Sequence, residues 1–450
     1  MTTLRSSEEI QGNVLAPFPD GEQAFLFFHF AEPAAARALL AELLPGITTT
    51  ARLLQSPPRA CRGVGLTATG LLKLAPEWAS DLELFVAFRE GAAARAPRLR
   101  DQGASAPERW VFGAPHEATV DLVLTLAASA SADLAAEVDP WRERARVLGL
   151  SLLCDQRGAR LPGAMDGCEH FGFKDGVSQP AVRGFDPSAG HGMDGLDERT
   201  PTGARLLPAG EFLLGRPRLA AAGGEARPLP CAEWMRDGSF QVVRRLSQDV
   251  AGWRAQLARL AASLPSTQPM CPHQLAAKVM GRWQSGAPLA VAPERDDRSS
   301  PEVEFDFNDD PFGYKTPRFA HIRKMYPRDD AFFERDWHRI IRRGIPFGPI
   351  YDPAGGEAHG ANVERGLLLN AFMASLENQF EFLMRGWAND PDFFEAGDGP
   401  DPLIGESGQP ATLRHGAGCS SQLHFERFVH TSGAVYAFVP ARSVLARLAW

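Results

Sequence analysis

Three short stretches carry residue types whose spacing could do chemistry. The first runs from Cys168 to Pro180, CEHFGFKDGVSQP, and sets Asp175 in the pattern G-x-x-D-G that spans Gly172 to Gly176. An isolated Asp-Gly is turn punctuation, because glycine accepts positive φ and the Asp side chain bonds nearby backbone. A carboxylate framed by glycines can also carry protons where backbone passes close to a ligand. The second stretch is Tyr314 to Asp330, with His321 between Ala320 and Ile322 and the cations Arg318, Arg323 and Lys324 around it. Such a histidine is either a packed side chain or a metal ligand whose second ring nitrogen is held by an acid or a carbonyl. The third is His338 to Pro353. Arg342 and Arg343 end an amphipathic stretch there, before Gly344-Ile-Pro, so a helix is expected to stop at that point, with the arginines complementing its C-terminus.

The elements that must position these residues come in a repeated order. Ala24 to Phe30, AFLFFHF, is dense enough in apolar residues for a strand buried on both faces. It leads into a helical stretch with an early proline and a closing Pro-Gly. Ala118 to Val138 repeats strand then helix. A strand near Phe240 runs into a helix ending about Leu264, and the C-terminus closes with strand into helix once more. These βα units in both halves fit a duplicated α+β architecture with helices on one side of the sheet. Two long irregular stretches, Gly184 to Pro208 and Gly286 to Asp310, are expected to be functional loops.

Composition narrows the function classes. The 450 residues are 44% hydrophobic and 23% charged, as in a globular protein with a sizeable core. A net charge of −8 advertises neither nucleic acid nor anionic lipid as a partner. The six cysteines form no C-x-x-C pair, which argues against a zinc or iron–sulfur cradle and for reduced thiols. Met1 to Phe18 shows neither the apolar core of a secretory signal nor a twin-arginine pair, and no run approaches the roughly 20 apolar residues of a membrane span. A cytoplasmic protein that does not enter the membrane is expected.

Taken together, Gly172–Gly176, Ala320-His-Ile-Arg323 and Arg342-Arg-Gly-Ile-Pro-Phe-Gly348 resemble the dye-decolourising peroxidases, a haem family. The resemblance continues in order along nearly the whole chain. It includes IQGNVLAPFP at the start, DGSFQVVRRLSQDV (Asp237 to Val250) in the middle, and SLENQFEFLMRGWANDPDFF with GPDPLIG (Gly399 to Gly405) towards the end. It implies two ferredoxin-like halves forming a dimeric α+β barrel, with the boundary set here at residues 1–208 and 209–450, and a possible homo-oligomer.

The resemblance also implies haem b as cofactor and hydrogen peroxide with small organic reductants as partners. A ferryl haem would form and then be reduced in two one-electron steps. His321 matches the iron ligand, Asp175 the distal carboxylate and Arg342, in preference to Arg343, the distal arginine. Arg323 is expected on a haem propionate through a charge-assisted bond. Leu367 and Leu369 are expected to line the distal pocket, the second at a position often aromatic in the family. An acidic partner for His321 is expected from Glu377 or Glu381, and Trp337 and Trp387 are possible relay sites for bulky dyes. A free carboxylate titrates at about 3.9 and imidazole at about 6.5, so an Asp base implies an acidic optimum. The other reading is a haem-binding or haem-processing protein, deferrochelatase-like, without significant peroxidase activity.

Overall fold

The computed structural model describes residues 3–19, 21–191, 198–220, 225–297, 304–328, 335–357, 359–405, 408–416 and 418–450. Parts of both long irregular stretches, at 192–197 and 298–303, therefore lie outside the described residues. The core is one nine-stranded antiparallel sheet. From one edge its order is Ile341–Arg342, Gly366–Met373, Ser239–Gln248, Val429–Val439, Ala60–Leu66, Leu122–Ala128, Glu22–His29 and Ser151–Ala159, with Ile345–Phe347 pairing beside the first strand on Gly366–Met373. Strands from residues 1–208 and from 209–450 meet where Phe438 pairs with Leu66.

The two free edges approach each other, which curls the sheet into a barrel. A side chain at Gly158 would stand 2.5 Å from Ile345 Cγ2 and 2.9 Å from the Pro346 carbonyl, so only glycine permits that closure. The interior is filled by alternate residues of both halves, among them Phe25, Phe27, Val123, Val243, Leu368 and Val435. The other face of the strand Glu22–His29 sends Ala24, Leu26 and Phe28 into a second cluster under the helices Pro33–Leu43, Ser131–Leu148 and Arg442–Ala449. Burial on both faces is the reason this strand reads as a continuous apolar run. The helix Val250–Ser263 follows the strand Ser239–Gln248, with Asp249 capping it through the Gly252 amide.

One expected element is replaced. The stretch before Gly344 holds no helix at Arg342: a short 3₁₀ turn covers Arg335–His338, and Ile341–Arg342 is a strand paired with Ala371 and Phe372. Gln179 fixes the backbone of Arg342 from its other side, accepting from its N–H at 3.0 Å and donating to its carbonyl at 3.0 Å. Tertiary pairing has overridden the local amphipathic pattern.

Candidate active site

A deep cavity lies against the strands of the C-terminal half, and all three chemical motifs reach it. Its wall includes Asp175 and Gly176, His321 and Ile322, and Arg342 and Gly344. Leu367 and Leu369 also line it, on the strand Gly366–Met373. Apolar groups from Met280, Leu383, Leu403 and Val429 supply much of the remaining surface.

His321 begins the short helix His321–Met325, following Ala320 in extended conformation. Its Nδ1 lies 2.7 Å from Asp401 Oδ2. Asp401 is fully buried, and its other oxygen accepts the backbone N–H groups of Leu403 at 2.8 Å and Ile404 at 3.3 Å. The imidazole is thus held by one nitrogen, while Nε2 makes no hydrogen bond within the described residues. This corrects the expected acidic partner. Glu377 instead caps the helix Val86–Arg95 by accepting the Ala87 N–H at 2.7 Å. Glu381 is buried against Arg95, whose Nε donates to it at 2.9 Å, and it accepts from the Tyr436 hydroxyl at 3.3 Å. The sequence signal for Asp401 is the Asp-Pro-Leu-Ile segment itself, in which an Asp side chain can bond the amide two residues ahead.

The Asp175 loop is built differently. Its backbone N–H donates to the Gly167 carbonyl at 3.1 Å, and Oδ1 accepts the Gly176 N–H at 2.7 Å. Gly172, at φ 97°, makes the turn that precedes it, and a side chain there would stand 2.6 Å from Gln284 Nε2. Phe171 and Phe173 anchor the loop in a hydrophobic cluster, Phe171 stacking on Trp253 at 5.0 Å. Across the cavity wall, Arg342 Nη2 reaches the Ser178 carbonyl at 3.4 Å and makes no ion pair with Asp175. Arg343, by contrast, points away and donates to the carbonyls of Asn13 at 3.2 Å and Leu15 at 2.7 Å.

Arg323 requires a second correction. It is buried away from the cavity, donating to the carbonyls of Thr316 at 2.8 Å and Asp310 at 2.9 Å and lying 4.5 Å over the Phe307 ring. Lys324 donates to the Trp387 carbonyl at 3.0 Å, and Arg318 pairs with Glu395 at 2.7 Å, so the cations beside His321 in sequence serve the surrounding loops. Besides Lys174 on the Asp175 loop, the cations that line the cavity are Arg282, Arg328 and Arg339, with Arg342. Arg328 lies 3.7 Å over Phe305 and Arg339 3.9 Å over Tyr326, which fixes both. Burial, then the neighbouring charges of Arg328 and Arg342, draws the Arg282 guanidinium down to about 9, still charged at neutral pH. No sequence pattern marks these arginines, because each comes from a different loop.

Trp387, 3% exposed, is enclosed by His338, Phe382 and Phe393, and Trp337 is half-buried in the turn Arg335–His338. Among the described residues no helix is long and apolar enough to cross a membrane.

Known proteins share this fold over nearly the whole chain. The family profile described as the DyP dimeric alpha+beta barrel domain matches residues 9–146. Dye-decolorizing peroxidase msp1 of Mycetinis scorodonius is 33% identical over 415 residues, covering 88% of this chain and 76% of that protein. The chain belongs to the dye-decolorizing peroxidase family. It is a DyP-type haem peroxidase, and its α+β barrel is the family's fold. The multifunctional dye peroxidase DyP2 of an Amycolatopsis species is 29% identical over 422 residues, 89% of this chain and 85% of that one. Among solved structures, an ancestral D-type dye-decolorizing peroxidase superposes with a TM-score of 0.82 at 30% identity, covering 98% of each chain. A dye-decolorizing peroxidase in complex with 2,6-dimethoxyphenol superposes with a TM-score of 0.82 at 27% identity, covering 98% of this chain and 99% of that one.

Proposed function

We propose that this peroxidase binds haem b between His321 and the Asp175–Arg342 pair, reduces hydrogen peroxide there, and oxidises dyes and phenols in one-electron steps. The observation that carries the reading is the state of His321. Asp401 holds Nδ1, so Nε2 is the nitrogen left to a metal ion, with the ring oriented and its basicity raised by the buried acid. The rest of the donor set fits a flat, largely apolar group bearing two carboxylates. Arg282, Arg328 and Arg339 on the cavity wall are the cations for those carboxylates. Haem b, when bound, would supply the iron that takes up peroxide and would hold the two oxidising equivalents of peroxide until the reductant consumes them.

The chain's own part is proton transfer and charge. Asp175 takes the proton from one peroxide oxygen and returns it to the other, so that the outer oxygen leaves as water. Among the described residues only Oδ1 is engaged, by the Gly176 amide, which leaves Oδ2 for this work. The Arg342 guanidinium offsets the negative charge that gathers as the O–O bond breaks. Leu367 and Leu369 limit the space beside them and keep bulk water from the reacting oxygens. A relative solved with 2,6-dimethoxyphenol supports phenols as reductants here.

The test is an absorption spectrum of the haem-loaded protein before and after one equivalent of peroxide, for wild type and Asp175→Ala. The wild-type Soret band should change within the mixing time and return on adding dye, and the variant should respond at least about 100-fold more slowly. A normal Soret band without any peroxide response in wild type would leave a haem-binding or haem-processing protein instead.

A further inference from the structure

Beneath the Asp175 loop lies a second carboxylate that the mechanism above does not use. Glu169 is 7% exposed, lines the same cavity, and sits six residues before Asp175. Its Oε2 accepts the Phe171 N–H at 2.9 Å and Gln248 Nε2 at 2.5 Å, and its Oε1 accepts the Phe173 N–H at 3.0 Å. The backbone closes the same turn, with Glu169 N–H donating to the Phe173 carbonyl at 3.0 Å and Gly172 N–H to the Glu169 carbonyl at 2.9 Å. One side chain thus gathers alternate amides of the turn that delivers Asp175 two residues later. Gln248 ends the central strand Ser239–Gln248, and its own N–H donates to the Arg365 carbonyl at 2.8 Å, so the turn is tied to the barrel.

We propose that Glu169 is a positioning residue for the peroxide reaction: its carboxylate, braced by Gln248, sets where Asp175 stands over the cavity. The inference rests on the proposed role of Asp175. Three donors converge on Glu169, and among the described residues no cation pairs with it, so a charge is held in the wall by hydrogen bonds alone. Burial, opposed by those bonds and reinforced by the charge of Asp175, pushes its carboxyl up to about 6. The other charged or titratable groups around the cavity are His170 and Lys174 on its own loop, and Arg282, Arg328, Arg339, Arg342, His321, His338 and Tyr326 from the elements packed against it. Burial holds His170, which bonds the Phe347 carbonyl at 2.8 Å, down to about 4, so its neutral form predominates around pH 6, where Glu169 titrates.

The protonated state has a place to put its proton. Gln248 Oε1 is buried and has no hydrogen-bond partner among the described residues, and half a turn of that amide presents it to Glu169 in exchange for Nε2. Above pH 6 the turn is gathered by a carboxylate, and below it by a carboxylic acid with one acceptor fewer. Gln is isosteric with the acid form, so Glu169→Gln should match wild type at low pH and fall behind as pH rises.

The experiment measures kcat/KM for hydrogen peroxide in the haem-loaded protein from about pH 4.5 to about pH 7.5, in wild type and Glu169→Gln, with KM for a dye and the melting temperature alongside. The expected wild-type to variant ratio is about tenfold at pH 7 and about twofold at pH 5, with the dye KM unchanged. The stability sign is opposite. A carboxyl raised from 4.5 to about 6 contributes stability that is present below about 4.5 and lost as pH rises through 6. The folded variant should therefore melt no lower than wild type at pH 7, which separates positioning from mere support. Gln248→Leu, which leaves the loop sequence intact, should lower peroxide kcat/KM about threefold and serves if Glu169→Gln does not fold. A ratio within twofold at every pH, or one that does not vary with pH, overturns the inference while leaving Asp175 in its role. A wild type inert to peroxide would remove both.

Discussion

The two walls of the cavity are held by opposite means. On the His321 side the restraint acts on the side chain: Nδ1 is fixed by Asp401, and Asp401 in turn by the amides of Leu403 and Ile404. On the Asp175 side it acts on the backbone. Gly167 holds the Asp175 amide, Gln179 brackets Arg342, and neither reactive head group is tied to the other. A ligand to a metal must keep its orientation through every turnover, which favours a locked ring. A proton carrier must change partners during the reaction, which favours a locked main chain with a free tip.

That contrast can be broken experimentally, beginning with the largest effect. Arg342→Leu removes a head group held only by one long bond to the Ser178 carbonyl and leaves its backbone clamp untouched, so kcat/KM for peroxide should fall about 10²–10³-fold with the melting temperature nearly unchanged. A comparable loss of folded protein would mean the distal wall depends on the side chain after all. Asp401→Asn keeps the geometry at His321 but removes its charge. It should cost about 10–100-fold in haem retention or activity, seen as faster haem transfer to an apo-globin scavenger. Unaltered haem retention and turnover would show that the buried acid does no more than fill space. Glu381→Gln should leave peroxide kinetics within about twofold while lowering stability by about 3 kcal/mol in denaturant unfolding, because Arg95 loses its buried counter-charge. An activity loss without unfolding would return Glu381 to the proximal machinery.

Much of this site is legible in the amino-acid sequence. The three motifs stand far apart along the chain, yet Asp175, His321, Arg342, Leu367 and Leu369 share one cavity. The motifs are recognisable because each is a local pattern with its own chemical reason: a carboxylate between glycines, a histidine among cations, an arginine before Gly-Ile-Pro. The strands are equally plain where burial on both faces makes them continuous, as at Phe25 to Phe28. The expectations that fail have a common cause. Arg323 is close to His321 in sequence, and Glu377 is an acid on a promising element, but each is spent on a backbone group instead, Arg323 on the nearby Thr316 carbonyl and Glu377 on the amide of Ala87 far along the chain. The strand at Ile341–Arg342 is hidden because its pairing partner, Ala371–Phe372, lies some thirty positions on and overrides an amphipathic stretch.

The sequence by itself determined the reactive residue types, the order of strands and helices, and the family, because these are written in local patterns and in their succession along the chain. Only the tertiary structure decided which acid holds His321, which of two adjacent arginines faces the cavity, which cations line it, and that Glu169 gathers the turn beneath Asp175. Those choices depend on contacts between segments distant in sequence, where burial makes every unpaired polar group costly and each one takes the partner that folding brings within reach.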